Sequence, residues 1–186
     1  MGMAFESDFA LLDQYAEGEE RAFEQLVVRH QRIVYYMALR IVGNHDDAAD
    51  ITQQVFLKAL ADLKRFERRS SFRTWICTIA VNLCRNHLKR TKKMEWVELS
   101  GEERDRGETS PESLIKRERD RRVREAILEL PERQRLTLIL RSYHHMSHQE
   151  IAQVLNINEN NARVNYFHAL KNLKSTLIRK GGIDEL

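Results

Sequence analysis

The sequence predicts an all-α protein: two small helical domains joined by a flexible acidic linker. Three observations carry that expectation. The 186 residues include only 7 glycines and 2 prolines beside 42% apolar and 32% charged residues, the profile of helices joined by short turns. Apolar residues recur at spacings of three and four, and no segment sustains the alternation of a strand. Residues 94–110 lose all periodicity and mix Gly and Ser with charge, which marks a linker between domains at 1–93 and 111–186.

The elements follow in order. Phe9, Leu11, Leu12 and Tyr15 precede Gly18, the C′ glycine of a short first helix. A longer helix reads Ala22, Phe23, Leu26, Val27, Ile33, Val34, Met37, Ala38 and Ile41, closed by Gly43. Asn44 caps the next, with Asp46 and Asp47 in its first turn and Ile51, Val55 and Ala59 on its apolar stripe. A basic connector at 67–71 leads to a fourth helix marked by Phe72, Trp75, Ile76, Ile79, Ala80 and Leu83, with these aromatics assigned to the core. After the linker, Ser110-Pro111 opens a helix bearing Val123, Ala126, Ile127 and Leu130, and Pro131 opens another bearing Leu136, Ile139 and Leu140.

Ser147-His148-Gln149-Glu150 is a capping box that starts a short helix. Asn156-Ile157-Asn158 turns the chain, with Ile157 expected inside, and Asn158 caps a second helix containing Ala162, Val164, Phe167 and Ala169. Two short helices with a tight turn and the small Ala152 at their crossing describe a helix-turn-helix. Its second helix enters the major groove, where Asn and Arg pair with adenine and guanine edges. The groove-facing candidates are Glu159, Asn160, Asn161, Arg163, Asn165 and His168, with Ala162 and Phe167 packing inward.

Charge sharpens this. The net charge of +3 conceals a block at 64–93 with ten lysines and arginines against Glu67 alone. Such a block is costly unless solvated or facing a polyanion, so nucleic acid is the expected partner. Several classes are excluded or disfavoured. Two cysteines rule out a disulfide framework and a four-cysteine zinc site. Cys77 and Cys84, two turns apart, read as core thiols. His144, His145 and His148 have no carboxylate or thiol to complete a metal site, and no cofactor is expected. No carboxylate cluster, phosphate loop or nucleophile–base pair suggests catalysis. No uncharged apolar run approaches the roughly 20 residues of a membrane span, and the N-terminus lacks a signal-peptide pattern, so a cytoplasmic protein is expected.

Leu130-Pro131-Glu132-Arg133-Gln134-Arg135 followed by Glu150-Ile151-Ala152 and the helix beyond resembles region 4 of bacterial sigma factors. Ala22-Phe23 with Leu26, Asp50-Ile51-Thr52-Gln53-Gln54-Val55-Phe56, Ser71-Phe72-Arg73-Thr74-Trp75, and Asn82 with the basic run are similar to region 2 of the extracytoplasmic-function (group 4) sigma factors. The resemblance covers residues 9–93 and 111–175 in the expected order. It implies a stress-response promoter-specificity factor whose partners are core RNA polymerase (β′ clamp and β flap), promoter DNA and an anti-sigma factor, without direct membrane insertion. The acidic linker is implied to thread the polymerase toward the RNA path.

The resemblance also implies site residues. Asp50, Gln53 and Gln54 dock on the β′ clamp, with Ala49 and Gln54 standing where acids are usual. Arg68, Arg69, Ser70 and Ser71 form the loop that captures an extruded −10 base, while Asn82, Arg85, Asn86, Lys89 and Arg90 follow the −10 strand, with Lys92 and Lys93 suited to phosphates. Asn160, Asn161, Arg163, Asn165 and His168 read the −35 element, with Arg133 and Arg141 on phosphates. Asn161-Ala162-Arg163-Val164-Asn165 departs from the commoner Thr-Val-Lys-Ser-Arg, so −35 specificity does not carry over. The competing reading is a conventional dimeric helix-turn-helix regulator, against which no dimerisation heptad or ligand pocket signature appears.

Overall fold

Among the described residues, 6–91 and 111–180, the computed structural model contains eight α-helices and no strand. They are α1 (Asp8–Ala16), α2 (Glu20–Val42), α3 (His45–Asp62), α4 (Phe72–Thr91), α5 (Pro111–Leu128), α6 (Glu132–Ser142), α7 (His148–Leu155) and α8 (Glu159–Arg179); a 3-10 turn, Leu63–Arg65, extends α3. The chain divides into two units, one holding α1–α4 and the other α5, α6, α8 and the start of α7. No helix among the described residues is long and apolar enough to cross a membrane.

Caps set the helix starts in the first unit. The Ser7 hydroxyl accepts the Ala10 N–H at 3.1 Å, and Asn44 Oδ1 accepts the Asp47 N–H at 3.0 Å. Between α2 and α3 the chain must reverse, and Gly43 does so at φ 80°, where a side chain would be strained. Helices α2, α3 and α4 then pack on one another, with α1 against α2. Their core includes Leu26, Val34, Met37, Ile41, Ile51, Val55, Phe72, Ile76 and both cysteines, all buried. Burial pushes the Cys84 thiol up to about 12, consistent with an inert packing group.

Helix α1 is tied to α2 by polar contacts. Asp8 accepts from Arg29 at 2.7 Å and bonds the buried His30 Nε2 at 2.9 Å. An aromatic cluster joins α1 to α4: Phe66 stacks on Trp75 with centroids 4.7 Å apart, and Phe9 lies 6.5 Å from Phe66. Phe72 and Ile76 are fully buried, whereas Trp75, stacked on Phe66, is half-buried.

In the second unit, Ile127, Leu130, Leu138 and Ala169 form a core with Val123, Tyr166 and Leu173 packed on it. The capping box closes as the sequence predicts: Glu150 N–H donates to Ser147 Oγ at 3.1 Å, and Ser147 N–H to Glu150 Oε2 at 2.7 Å. Asn158 caps α8 through the Asn161 N–H at 2.7 Å. Pro131 sits at the N-cap of α6 rather than inside it. Ile157 is half-buried, not buried, because Asn156 at φ 52° turns the backbone before Ile157 can reach the core. Ser110 and residues 94–109 lie outside the described residues.

Candidate nucleic-acid interface

Three surfaces carry the polar groups singled out in the sequence. On α3, Ile51, Val55 and Phe56 are buried, so the opposite face turns out. Asp50, Gln53 and Gln54 are all exposed on it. The structure adds Leu57, one turn further along the same face and 60% exposed. A leucine there does not fit the buried stripe, and that misfit is the signal the sequence offers for it.

The second surface is α4. Asn82, Asn86 and Lys89 are exposed and Arg85 is half-buried on one side of the helix, away from Ile76, Cys77 and Ala80, and Arg90 is exposed at the flank of that side. Along that side, amide groups suited to base edges sit among cations suited to phosphates. Beside it, His87 Nε2 pairs with Asp47 Oδ2 at 3.2 Å, which ties this part of α4 to the start of α3. Lys92 and Lys93 lie outside the described residues.

In the connector before α4, Arg68, Arg69, Ser70 and Ser71 are engaged in ties of their own. Ser71 is the N-cap: its hydroxyl accepts the Thr74 N–H at 3.1 Å, and its carbonyl accepts the Trp75 N–H at 3.1 Å. That hydroxyl oxygen is committed to helix initiation, because the first turn of any helix leaves N–H groups in need of acceptors. Arg68 is also committed. It adopts φ 57°, donates to Asp13 Oδ1 at 2.5 Å and lies over the Phe9 ring at 5.8 Å. Arg69 pairs with Glu67 at 2.7 Å in solvent. Ser70 makes a 3.3 Å bond to the Ser71 carbonyl, the weakest tie in the loop. Asp13 and Phe9, which hold the loop against α1, have no signal in sequence because they lie more than fifty positions from the residue they hold.

The third surface is the helix-turn-helix. Ala162 and Ala169 are fully buried, which turns Asn160, Asn161, Arg163 and His168 outward, with Asn165 half-buried at the side. Arg163 donates to Glu159 Oε1 at 2.6 Å, one turn back. Phe167 contradicts the expectation that it packs inward: it is 66% exposed. With Ala162, Tyr166 and Ala169 defining the inner face, position 167 falls on the outer one. Arg141 is half-buried and donates to the Met146 carbonyl at 2.8 Å, which bridges the end of α6 to the start of α7; Arg133 is exposed. Burial first, and then the Arg141 and Arg163 cations, hold the His148 imidazole below its ordinary range. It therefore contributes no fixed charge to this cationic surface.

The sigma-70 region 2 family model matches residues 26–94 and the sigma-70, region 4 model matches residues 120–173. The chain is 30% identical over 182 residues to the RNA polymerase sigma-H factor of Pseudomonas aeruginosa, covering 92% of this chain and 94% of that protein. It is also 30% identical over 187 residues to the ECF RNA polymerase sigma-E factor of Escherichia coli, covering 94% and 97%. Among solved structures, CnrH in complex with the cytosolic domain of CnrY shares the fold with a TM-score of 0.73 and 24% identity, over 94% of this chain and 99% of that one. The chain belongs to the extracytoplasmic-function sigma factors of the sigma-70 family.

Proposed function

We infer that this chain binds core RNA polymerase and directs promoter-specific initiation, recognising the −35 element with α7–α8 and opening the −10 element with α4 and the loop before it. The observation that carries this reading is the order of surfaces: an acid-and-amide face on α3, an amide-and-cation face on α4, then a doubly capped helix-turn-helix. A factor that must hold polymerase, open DNA and measure a fixed distance upstream needs all three in one chain. A dimeric regulator needs only the last.

In this reading residues 1–93 bind core and handle the −10 element, residues 94–110 link, and residues 111–186 read the −35 element. Asp50, Gln53, Gln54 and Leu57 dock on the β′ clamp, the leucine supplying apolar area at the centre of a polar face. Extruding a −10 base costs a few kcal/mol that a pocket must offset. Ser70 and Asn82 supply polar groups for that pocket, and Arg68, fixed by Asp13, shapes it. Asn86, Lys89 and Arg90 follow the strand, and Arg85 lines its path. The protein is a regulatory DNA-recognition factor working in the cytoplasm, where polymerase is. CnrH was solved with the cytosolic domain of CnrY, and RpoE of Bartonella quintana with the anti-sigma factor NepR; likeness to them supports an anti-sigma partner for this chain.

The clamp face gives the direct test. Asp50→Arg should lower affinity for core polymerase by about tenfold or more, since a misplaced charge in an interface costs several kcal/mol. The circular dichroism spectrum and melting temperature should stay near wild type, because Asp50 is exposed. Wild-type affinity in a titration against core polymerase would remove α3 from the interface.

A further inference from the structure

Helix α1 carries none of the groups given a function above, yet it holds the loop before α4. Arg68, in the middle of that loop, sits at φ 57°, a conformation that a residue with a side chain keeps only where its surroundings enforce it. Helix α1 supplies the enforcement. Asp13 Oδ1 accepts from Arg68 Nη2 at 2.5 Å, and the Arg68 guanidinium lies 5.8 Å from the centre of the Phe9 ring. Positions 9 and 13 are one helical turn apart, so a single face of α1 presents both. The start of the loop is held as well, since Phe66 stacks on Trp75 at 4.7 Å and faces Phe9 at 6.5 Å. Helix α1 is itself fixed: Leu11 and Leu12 are buried, and Asp8 is bonded to Arg29 and His30 of α2.

We propose that Asp13 and Phe9 are positioning residues for −10 opening, holding Arg68 and its loop in the base-capturing shape before the DNA melts. The proposal rests on the reading that this loop captures an extruded base, and it gives α1 a part in that step. Extrusion already costs the stacking and pairing of the base. A loop that had to be ordered at the same moment would add its own lost conformational freedom. The two holds on the guanidinium act differently. The carboxylate fixes its direction through a charge-assisted hydrogen bond, and the ring keeps it flat against α1. An unpaired acid beside a strand of phosphates would repel it; paired with Arg68, Asp13 orients a cation instead. Exposed ion pairs add little to folding stability, so the pair is better explained by what it positions than by what it stabilises.

The test uses holoenzyme built from core polymerase and the full chain on a promoter that the wild type opens. Permanganate reactivity reads −10 opening, and closed-complex affinity is measured at low temperature. Asp13→Ala should keep wild-type closed-complex affinity and melting temperature while lowering opening by about threefold to fivefold, the upper range for an exposed ion pair. Asp13→Glu, which keeps the carboxylate, should restore most of that loss. Phe9→Leu, which keeps apolar volume and removes the ring face, should lower opening in the same direction. An abasic nucleotide is then placed at each −10 position of each strand in turn. At one position the wild type should lose opening because no base remains to capture, and there Asp13→Ala should cost nothing further. If the wild type opens every abasic promoter normally, base capture by this loop fails and the proposal fails with it. If the wild type shows the abasic loss but Asp13→Ala opens the intact promoter as well as wild type does, base capture stands and the part given to α1 is overturned. A loss with Asp13→Ala that is equally large on intact and abasic promoters, or that comes with a lower melting temperature, makes Asp13 a structural residue and overturns the proposal too.

Discussion

At the scale of residues, His30 sits between opposing influences. Burial lowers its pKa from the ordinary 6.5; the Asp8 carboxylate on its Nε2 pulls the other way, and the Arg29 and Arg73 cations add to the lowering. Burial prevails, so the folded ring is neutral and donates its Nε2–H to Asp8. As pH falls below 6.5, the unfolded ring takes up a proton before the folded one does. The unfolded state then binds more protons, and stability declines until the folded ring titrates as well. The contribution is therefore complete above 6.5 and lost on the acid side. Melting temperature should drop between about pH 7 and 5.5, and His30→Leu, which leaves Asp8 its Arg29 partner, should flatten that drop. Parallel curves for the two proteins would mean that His30 titrates alike in the folded and unfolded states. A histidine amid an apolar stripe is visible in the sequence, but the side chain that orients it, twenty-two positions away, is not.

At the scale of elements, local structure is legible in the sequence and what is joined across the fold is not. Ser147 with Glu150, Asn158 with Asn161, and Asn44 with Asp47 all lie three residues apart, and each forms the bond its spacing predicts. Burial on α3 follows the same logic, since period 3.6 decides which side faces in. In the connector before α4, two of the polar groups answer to other elements. Ser71 starts α4, and Arg68 reaches α1. Phe167 shows the limit of apolar patterning: a phenylalanine at helical spacing reads as core, although the angular position set by Ala162 and Ala169 places it outside. The loop's division of labour is testable. Ser70→Ala with Asn82→Ala should spare closed complexes and reduce −10 opening, read as permanganate reactivity of −10 thymines. Ser71→Ala should instead cost about 1 kcal/mol of stability through the lost cap. Unchanged permanganate reactivity in the double variant would move base capture away from this loop.

For the whole molecule, the segregated charge and the two helical units belong to one account. A strongly basic run at 64–93 lies between acidic stretches in a chain of net charge +3. Within that run, Asn82, Arg85, Asn86 and Lys89 gather amides and cations on one side of α4. Charge gathered in this way supplies salt-sensitive affinity for phosphates, while the side chains among it and on α8 supply selectivity. The basic run and the amides within it are legible in the sequence alone. The exposed leucine on α3 and the exposed phenylalanine on α8 need the fold to show which side they occupy. The central claim is that this chain converts core polymerase into a promoter-specific enzyme. The most direct test is run-off transcription on genomic fragments with purified core polymerase, with and without the chain. The account predicts discrete transcripts that require both components and disappear with Asp50→Arg. Transcription unchanged by the chain, together with a palindromic footprint formed by the chain without polymerase, would contradict it and identify a conventional dimeric regulator.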